Sequence, residues 1–96
     1  MERGAPDEQR ASLEIVNRLG LHARAAALLV QTATRFEAEV TIAKDGQVVN
    51  GRSIMGVMML AAEQGSRIDV TTTGPQAREA LEAIRGLIAA RFQEPE

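Results

Sequence analysis

The chain has 96 residues, of which 45% are apolar and 25% are charged, with a net charge of −2. This length suits one small domain, and the composition is that of an ordinary globular protein rather than a disordered tail or a basic nucleic-acid coat. Aromatic residues make up 2% of the chain, which argues against stacking of unpaired bases and so against single-strand nucleic-acid binding. With no Cys and one His, disulfides, thiol chemistry and multi-ligand zinc or iron–sulfur sites are excluded, and we expect no metal.

The two ends of the chain lack the patterns of folded elements. Residues 1–10 mix charged residues with Gly and Pro, which predicts a flexible N-terminal arm, and residues 93–96 predict a C-terminal tail. The folded domain is therefore expected over residues 11–92. The start of the chain has no apolar signal-peptide core, and the longest apolar run, residues 25–30, is too short to span a bilayer. We expect a cytoplasmic protein without membrane insertion.

The first half of the domain predicts a strand, a helix and a hairpin. Leu13 and Ile15 alternate with polar neighbours up to Asn17, which is typical of a short strand. From Ala23 onward good helix formers dominate, and apolar residues recur at three- and four-residue spacing. This buried stripe comprises Ala26, Leu29, Val30, Ala33 and Phe36. Alternation over residues 38–43 is followed by an Asp-Gly pair and another short segment, which predicts a hairpin of two strands.

The second half predicts two helices around a fourth strand. Ser53 begins a short helix that is apolar on every side and ends at Gly65, so part of its surface should face water or a partner. Residues 68–72 alternate as a strand, and Gly74 with the following Pro opens a last helix. The order β-α-β-β-α-β-α predicts an α+β fold: a two-layer, open-faced sandwich with a four-stranded antiparallel sheet and three helices on one face.

The only histidine stands where a Gly-containing loop enters the predicted first helix. The first amides of a helix lack internal partners and carry partial positive charge, so a phosphoryl group on His22 would meet free N–H donors near Ala23. The guanidinium groups of Arg24 and Arg18 match phosphate oxygens, and a neutral imidazole is a nucleophile. From these residues alone, a His that merely caps the helix or fills a gap remains the alternative.

Residues 20–24 (Gly-Leu-His-Ala-Arg), followed by an Ala-rich helix, resemble the active-site segment of the HPr family. This family comprises the histidine-containing phosphocarrier proteins of the bacterial phosphoenolpyruvate-dependent phosphotransferase system. Further similar segments occur in the same order at residues 30–33, 45–46 and 52–58. The resemblance covers about residues 11–92, and residues 17–22 and 74–76 are similar to the nitrogen-related branch of the family.

The resemblance implies a phosphoryl carrier rather than a complete enzyme, with no metal or organic cofactor. Enzyme I, charged by phosphoenolpyruvate, would phosphorylate the Nδ1 atom of His22, and an enzyme IIA domain would accept the group. Arg24 corresponds to the active-site Arg of the family. The family usually has Pro at the next position, where this chain has Ala25. Pro in the first helical turn fixes φ, so we expect a less preorganised turn with the chemistry retained, in a monomeric bacterial protein.

Ser53 has two interpretations. A Ser directly before an apolar helix is a favoured N-cap. The resemblance instead implies a regulatory serine, phosphorylated by an ATP-dependent kinase and acted on by the corresponding phosphorylase. Phosphate at this position would add negative charge and oppose acidic partners. The alternative function is therefore a regulatory binding module controlled by phosphorylation at His22 or Ser53.

The apolar second helix predicts a surface for partners. Unbranched Met side chains adapt to several binding surfaces, and the resemblance implies that this helix flanks the active His. We expect enzyme I and the enzyme IIA domain to dock here. The expected apolar surface consists of Leu21, Ile54, Met55 and Met58, with Arg24 and Arg52 as charged neighbours.

Overall fold

The computed structural model describes residues 7–94, which form four strands, three α-helices and a terminal single-turn helix. The elements are β1 (Glu8–Glu14), α1 (Ala23–Thr34), β2 (Glu39–Lys44), β3 (Gln47–Asn50), α2 (Ile54–Met59), β4 (Arg67–Thr73), α3 (Ala77–Ala89) and the turn Arg91–Gln93. The strands form one antiparallel sheet in the order β1-β4-β2-β3. The predicted α+β element order is confirmed. Within the described residues, no helix is long and apolar enough to cross a bilayer.

One face of the sheet is buried under the helices, and the other is open. In β2 and β4 only alternate residues are buried, among them Val40, Ile42, Ile68 and Val70. They meet the apolar stripes of α1 and α3 in one core. Fully burying one such side chain stabilises the fold by roughly 1.5–3 kcal/mol. The two-layer arrangement therefore follows from the period-two and period-3.6 patterns of the sequence.

The ends of the folded unit differ from the prediction. Strand β1 starts at Glu8, so residues 8–10 lie in the sheet and not in a flexible arm. Their backbone pairs with β4, with Glu8 opposite Thr73. Backbone pairing does not require alternating apolar residues, so the sequence pattern does not show where this strand begins. At the other end, Gln93 completes the terminal turn and Glu94 is bonded to the rest of the fold. The expected arm over residues 1–6 and tail over residues 95–96 lie outside the described residues.

The second helix is shorter than the sequence indicates. It ends at Met59, not at Gly65, because the next residues tighten into a turn. The Leu60 N–H donates to the Val57 carbonyl at 3.2 Å, and Ala61 has a left-handed φ of 50°. This turn directs Leu60 and Ala62 into the core, where both are buried.

Candidate functional site

The loop before α1 is held against the segment that follows α2. The Leu21 N–H donates to the Ala62 carbonyl at 2.9 Å. Gly20 has a left-handed φ of 67°, and a Cβ there would collide with the same carbonyl oxygen. Only glycine accepts both this conformation and this close approach without strain. Gly20 therefore lets the loop lie close enough to place the next residues at the start of α1.

His22 is the N-cap of α1, and its ring faces the first helical turn. The imidazole Nδ1 accepts a hydrogen bond from the Arg24 backbone N–H at 3.2 Å. A nitrogen that accepts carries no proton, so in the neutral ring the proton sits on Nε2. The side chain is 29% exposed, which leaves the ring accessible. His22 therefore caps the helix, as the alternative interpretation expects. The same contact directs the Nδ1 lone pair toward the free amides at the start of α1.

Arg18 and Arg24 flank the same depression as the histidine. The depression measures about 480 Å³, and its lining consists of Arg18, Leu19, His22, Arg24 and Glu94. Both arginines are exposed, as is Ala23, the first residue of the helix. The depression therefore contains three of the four residues that the sequence singles out around a phosphoryl group, His22, Arg18 and Arg24, and Ala23 lies outside its lining. The lining adds Leu19 and Glu94, which sequence reasoning missed.

Glu94 reaches the active-site loop from the far end of the chain. One carboxylate oxygen accepts from the Arg18 N–H at 2.8 Å, and the other accepts from the Leu19 N–H at 3.2 Å. The second oxygen also lies 3.7 Å from Nε2 of His22. Burial raises the pKa of this carboxyl, but hydrogen bonds from Asn17 and the two loop amides, with the nearby His22 ring, outweigh it. The pKa of Glu94 is therefore lowered.

Asn17 connects the loop to Glu94. Its side chain is fully buried, and Nδ2 donates to the Gly20 carbonyl at 2.9 Å and to the Glu94 carboxylate at 3.2 Å. Its Oδ1 finds no hydrogen-bond partner within residues 7–94. The sequence marks Asn17 as the end of a strand pattern and the first residue of the segment that leads to His22. The structure shows that its amide orders the residues that lead to the histidine.

Of the residues expected on the partner surface, those of α2 are exposed and the one in the loop is not. Ile54, Met55 and Met58 are exposed, Met55 to 72%, and Arg52 is exposed beside them. Leu21 is instead buried, with 4% of its surface exposed. Leu19 is the exposed apolar residue of the loop, at 64%. Two leucines flank Gly20, and periodicity cannot tell which points inward because a left-handed residue lies between them. Met59 extends the exposed set on α2.

Ser53 is the N-cap of α2. Its Oγ accepts a hydrogen bond from the Gly56 backbone N–H at 3.0 Å, and its side chain is half-buried. This is the contact expected of a capping Ser. The capping interpretation of Ser53 is therefore confirmed.

Comparisons with known proteins agree with this fold and site. Residues 9–90 match the family model described as PTS HPr component phosphorylation site. The phosphocarrier protein HPr of Neisseria meningitidis serogroup A is 48% identical over 87 residues, which cover 91% of this chain and 98% of the relative. The solved structure of HPr-C-His from Thermoanaerobacter tengcongensis superposes with a TM-score of 0.87 at 41% identity, covering 92% and 99% of the two chains. A dimer of HPr from the same organism has a TM-score of 0.73 at 44% identity, covering 85% and 94%.

The fold and the site define a small α+β domain, an open-faced sandwich that presents an accessible histidine at the N-terminus of a helix. The chain belongs to the HPr family of phosphocarrier proteins of the phosphotransferase system.

Proposed function

We propose that the protein carries a phosphoryl group on Nδ1 of His22 from enzyme I, charged by phosphoenolpyruvate, to an enzyme IIA domain in the cytoplasm. The observation that carries this proposal is the 3.2 Å contact between Nδ1 and the Arg24 N–H in an accessible ring. That contact leaves Nδ1 unprotonated and places it where helix amides favour negative charge. Membership of the family supports the carrier role.

The proposed transfer exchanges one bond for another. The Nδ1 lone pair of His22 attacks phosphorus, a bond between nitrogen and phosphorus forms, and the bond from phosphorus to enzyme I breaks with its electron pair leaving on the donor. The Arg24 N–H loses Nδ1 as its acceptor, and a phosphoryl oxygen takes its place. The guanidinium groups of Arg24 and Arg18, with the Ala23 amide, are the further donors that we assign to the group.

An exposed helix end suits a carrier because the phosphoryl group must leave again. A closed pocket would hold the group by many desolvated contacts and oppose its release, whereas the depression around His22 is open to a partner. We propose that enzyme I and enzyme IIA dock on the exposed apolar residues beside it, led by Leu19, Ile54, Met55 and Met58, with Arg52 and Arg24 at the rim. The site is complete within one chain, so we propose that a monomer performs the transfer.

The carrier role can be tested by incubating the chain with enzyme I and phosphoenolpyruvate and measuring its mass before and after mild acid. We expect one added phosphoryl group that mild acid removes, since a phosphohistidine is acid-labile. The group should be absent in His22→Ala and present in Ser53→Ala, which serves as the matched control. Phosphorylation that persists in His22→Ala, or no phosphorylation of the native chain, would contradict the proposal.

A regulatory role is the second candidate, and the position of Ser53 favours it. This half-buried Ser lies between exposed Arg52 and exposed Ile54, so a phosphate on its hydroxyl would bring negative charge to the proposed docking surface. With ATP and the serine kinase of the system, we expect acid-stable phosphate that is lost in Ser53→Ala. The corresponding phosphorylase should remove it. Acid stability therefore distinguishes this candidate from the carrier reaction.

A further inference from the structure

We infer that Glu94 is a positioning residue for phosphoryl transfer: its carboxylate fixes the loop before His22 and keeps the imidazole proton on Nε2, so that Nδ1 stays available. The inference rests on the proposed carrier function of His22. Nothing in the sequence pattern marks this glutamate, which lies on the short segment after the last helix.

The surroundings of the Glu94 carboxylate form a built site. Three hydrogen bonds from Asn17, Arg18 and Leu19 reach its two oxygens at 3.2, 2.8 and 3.2 Å. The side chain is only 9% exposed. A surface glutamate in solvent would not collect three donors from one loop and lose most of its hydration. The loop amides and the carboxylate therefore hold each other in one geometry.

The backbone of the terminal segment is shaped to deliver this side chain. Arg91, Phe92 and Gln93 all have left-handed φ values, of 58°, 53° and 56°, a conformation that is unfavourable for residues with a Cβ. Phe92 is buried, and the Arg91 guanidinium donates to the Val16 carbonyl at 2.8 Å. The side chains of Arg91 and Glu94 thus hold consecutive parts of the loop, Arg91 at residue 16 and Glu94 at residues 17–19. The buried Phe92 side chain anchors this turn to the core.

The carboxylate acts on the histidine through its charge. The distance of 3.7 Å from Oε2 to Nε2 of His22 is longer than a hydrogen bond, and such contacts often shorten when a reacting group binds. A negative charge on this side favours the tautomer with its proton on Nε2, which agrees with Nδ1 accepting from the Arg24 amide. When Nδ1 bonds to phosphorus while Nε2 keeps its proton, the ring becomes positively charged. Glu94 then stabilises that charge from the opposite side of the ring.

The experiment compares Glu94→Gln with the native chain and with the control Glu82→Gln, since Glu82 is an exposed glutamate of α3 that pairs with Arg85. Gln has the same shape but no charge, and its NH₂ group opposes the N–H donors of the loop. We expect the initial rate of phosphoryl transfer from enzyme I to fall roughly tenfold, the low end of the effect of losing a partner that orients a metal-ligating His. The ¹⁵N shifts of the His22 ring, measured without any donor, should show a smaller population with the proton on Nε2. Glu82→Gln should leave both quantities unchanged.

The two readouts separate this inference from the function on which it rests. Failure of enzyme I to phosphorylate the native chain would refute the carrier function, while the ring shifts would still test the contact. A transfer rate in Glu94→Gln that equals the rate of the native chain overturns the inference. A slower rate with unchanged ring shifts also overturns it, because a purely structural role would slow transfer without moving the imidazole proton. Amide spectra away from the loop at residues 16–24 and from the substituted position and its neighbours should coincide with those of the native chain and report an intact fold.

Discussion

Arg24 contributes to the site at the scale of a single residue in two independent ways. Its backbone N–H binds Nδ1 of His22, and its side chain lines the depression where a phosphoryl group would sit. A substitution of Arg24 removes the contribution of its side chain and keeps that of its backbone N–H. The two can therefore be separated by experiment.

Replacing Arg24 by Ala should slow phosphoryl transfer from enzyme I while leaving the fold intact, since the side chain is exposed. A hydrogen bond to a charged group contributes about 1.5–3 kcal/mol, and about 1.4 kcal/mol corresponds to a factor of ten in rate. We expect a reduction of roughly ten- to a hundredfold. Rapid-quench measurement of transfer gives the rate, with Arg67→Ala, an exposed position in β4, as the control. Equal rates for Arg24→Ala and native protein would remove the side chain from the mechanism.

Asn17 tests the order of the loop. Its Nδ2 donates to the Gly20 carbonyl and the Glu94 carboxylate, so Asn17→Asp would set two acceptors against it in a buried position. We expect the free energy of unfolding to fall by about 1–3 kcal/mol in urea denaturation. Asn50→Asp is the matched control, because Asn50 uses its Oδ1 to accept from the Arg52 N–H and Asp retains that oxygen. Equal losses in the two variants would show that the charge, not the lost donor, causes the effect.

The residues of the site were predictable from the sequence only where local rules apply. His22 and Arg24 stand at a helix start, where the loss of internal amide partners has a known consequence for anions. Asn17 and Glu94 are 77 positions apart, and no periodicity connects them. Leu21 was misplaced because the left-handed Gly20 reverses the expected facing of its neighbours. Contacts over such separations depend on tertiary packing, which composition and spacing do not encode.

At the scale of elements, the first turn of α1 is where this chain departs from the Pro that the family usually has. Ala25 is in the first turn, so its N–H has no acceptor within the helix. Ala27 lies two residues further along, in the second turn, where its N–H bonds to the carbonyl four residues earlier. The same substitution therefore has opposite consequences at the two positions.

Ala25→Pro should raise the free energy of unfolding by about 0.4–1 kcal/mol, because Pro restricts the unfolded chain without removing a helical hydrogen bond. Ala27→Pro should lower it by about 3 kcal/mol. Urea denaturation of both variants measures the difference. If both variants lose a similar free energy of unfolding, the buried surroundings of Ala25 have no room for the Pro ring. The expected increase in stability for Ala25→Pro would then be wrong.

The types of the elements were predicted where burial sets the sequence pattern. Their boundaries were wrong where backbone pairing or a turn sets them. The stripes of α1 and α3 and the alternation in β2 and β4 face one core, so their types and order followed from the sequence. The first residues of β1 are polar and join the sheet through their backbone. The end of α2 is fixed by the left-handed Ala61 and the burial of Leu60, although the apolar pattern runs on. Such boundaries depend on the surrounding fold.

At the scale of the whole molecule, the segment after the last helix meets the loop that follows β1. Packing of α3 against β1 and α1 carries the chain back to the loop before His22, where Glu94 accepts from Arg18 and Leu19. The carboxylate therefore links the stability of the entire fold to the order of one loop. This link has a definite dependence on pH, because the folded protein lowers the pKa of Glu94.

The sign follows from the direction of that shift. A carboxyl whose pKa is lower in the folded state than its ordinary value of 4.5 stabilises the fold fully above that value. The stabilisation disappears as the pH falls through the folded-state pKa, when the folded protein also binds the proton. The native chain should thus be more stable than Glu94→Gln near pH 7, and the difference should shrink in acid below 4.5. Titration of groups that Glu94 does not contact cancels when the two curves are subtracted.

Urea denaturation at a series of pH values from about 7 to about 3 measures this difference. Glu82→Gln, which removes the same charge from an exposed position on α3, corrects for the change in net charge. After that correction, a difference that stays constant with pH would mean that the folded and unfolded states bind the Glu94 proton equally. The hydrogen bonds from the loop would then not stabilise the ionised carboxylate, and the end of the chain would contribute to the site by its shape alone.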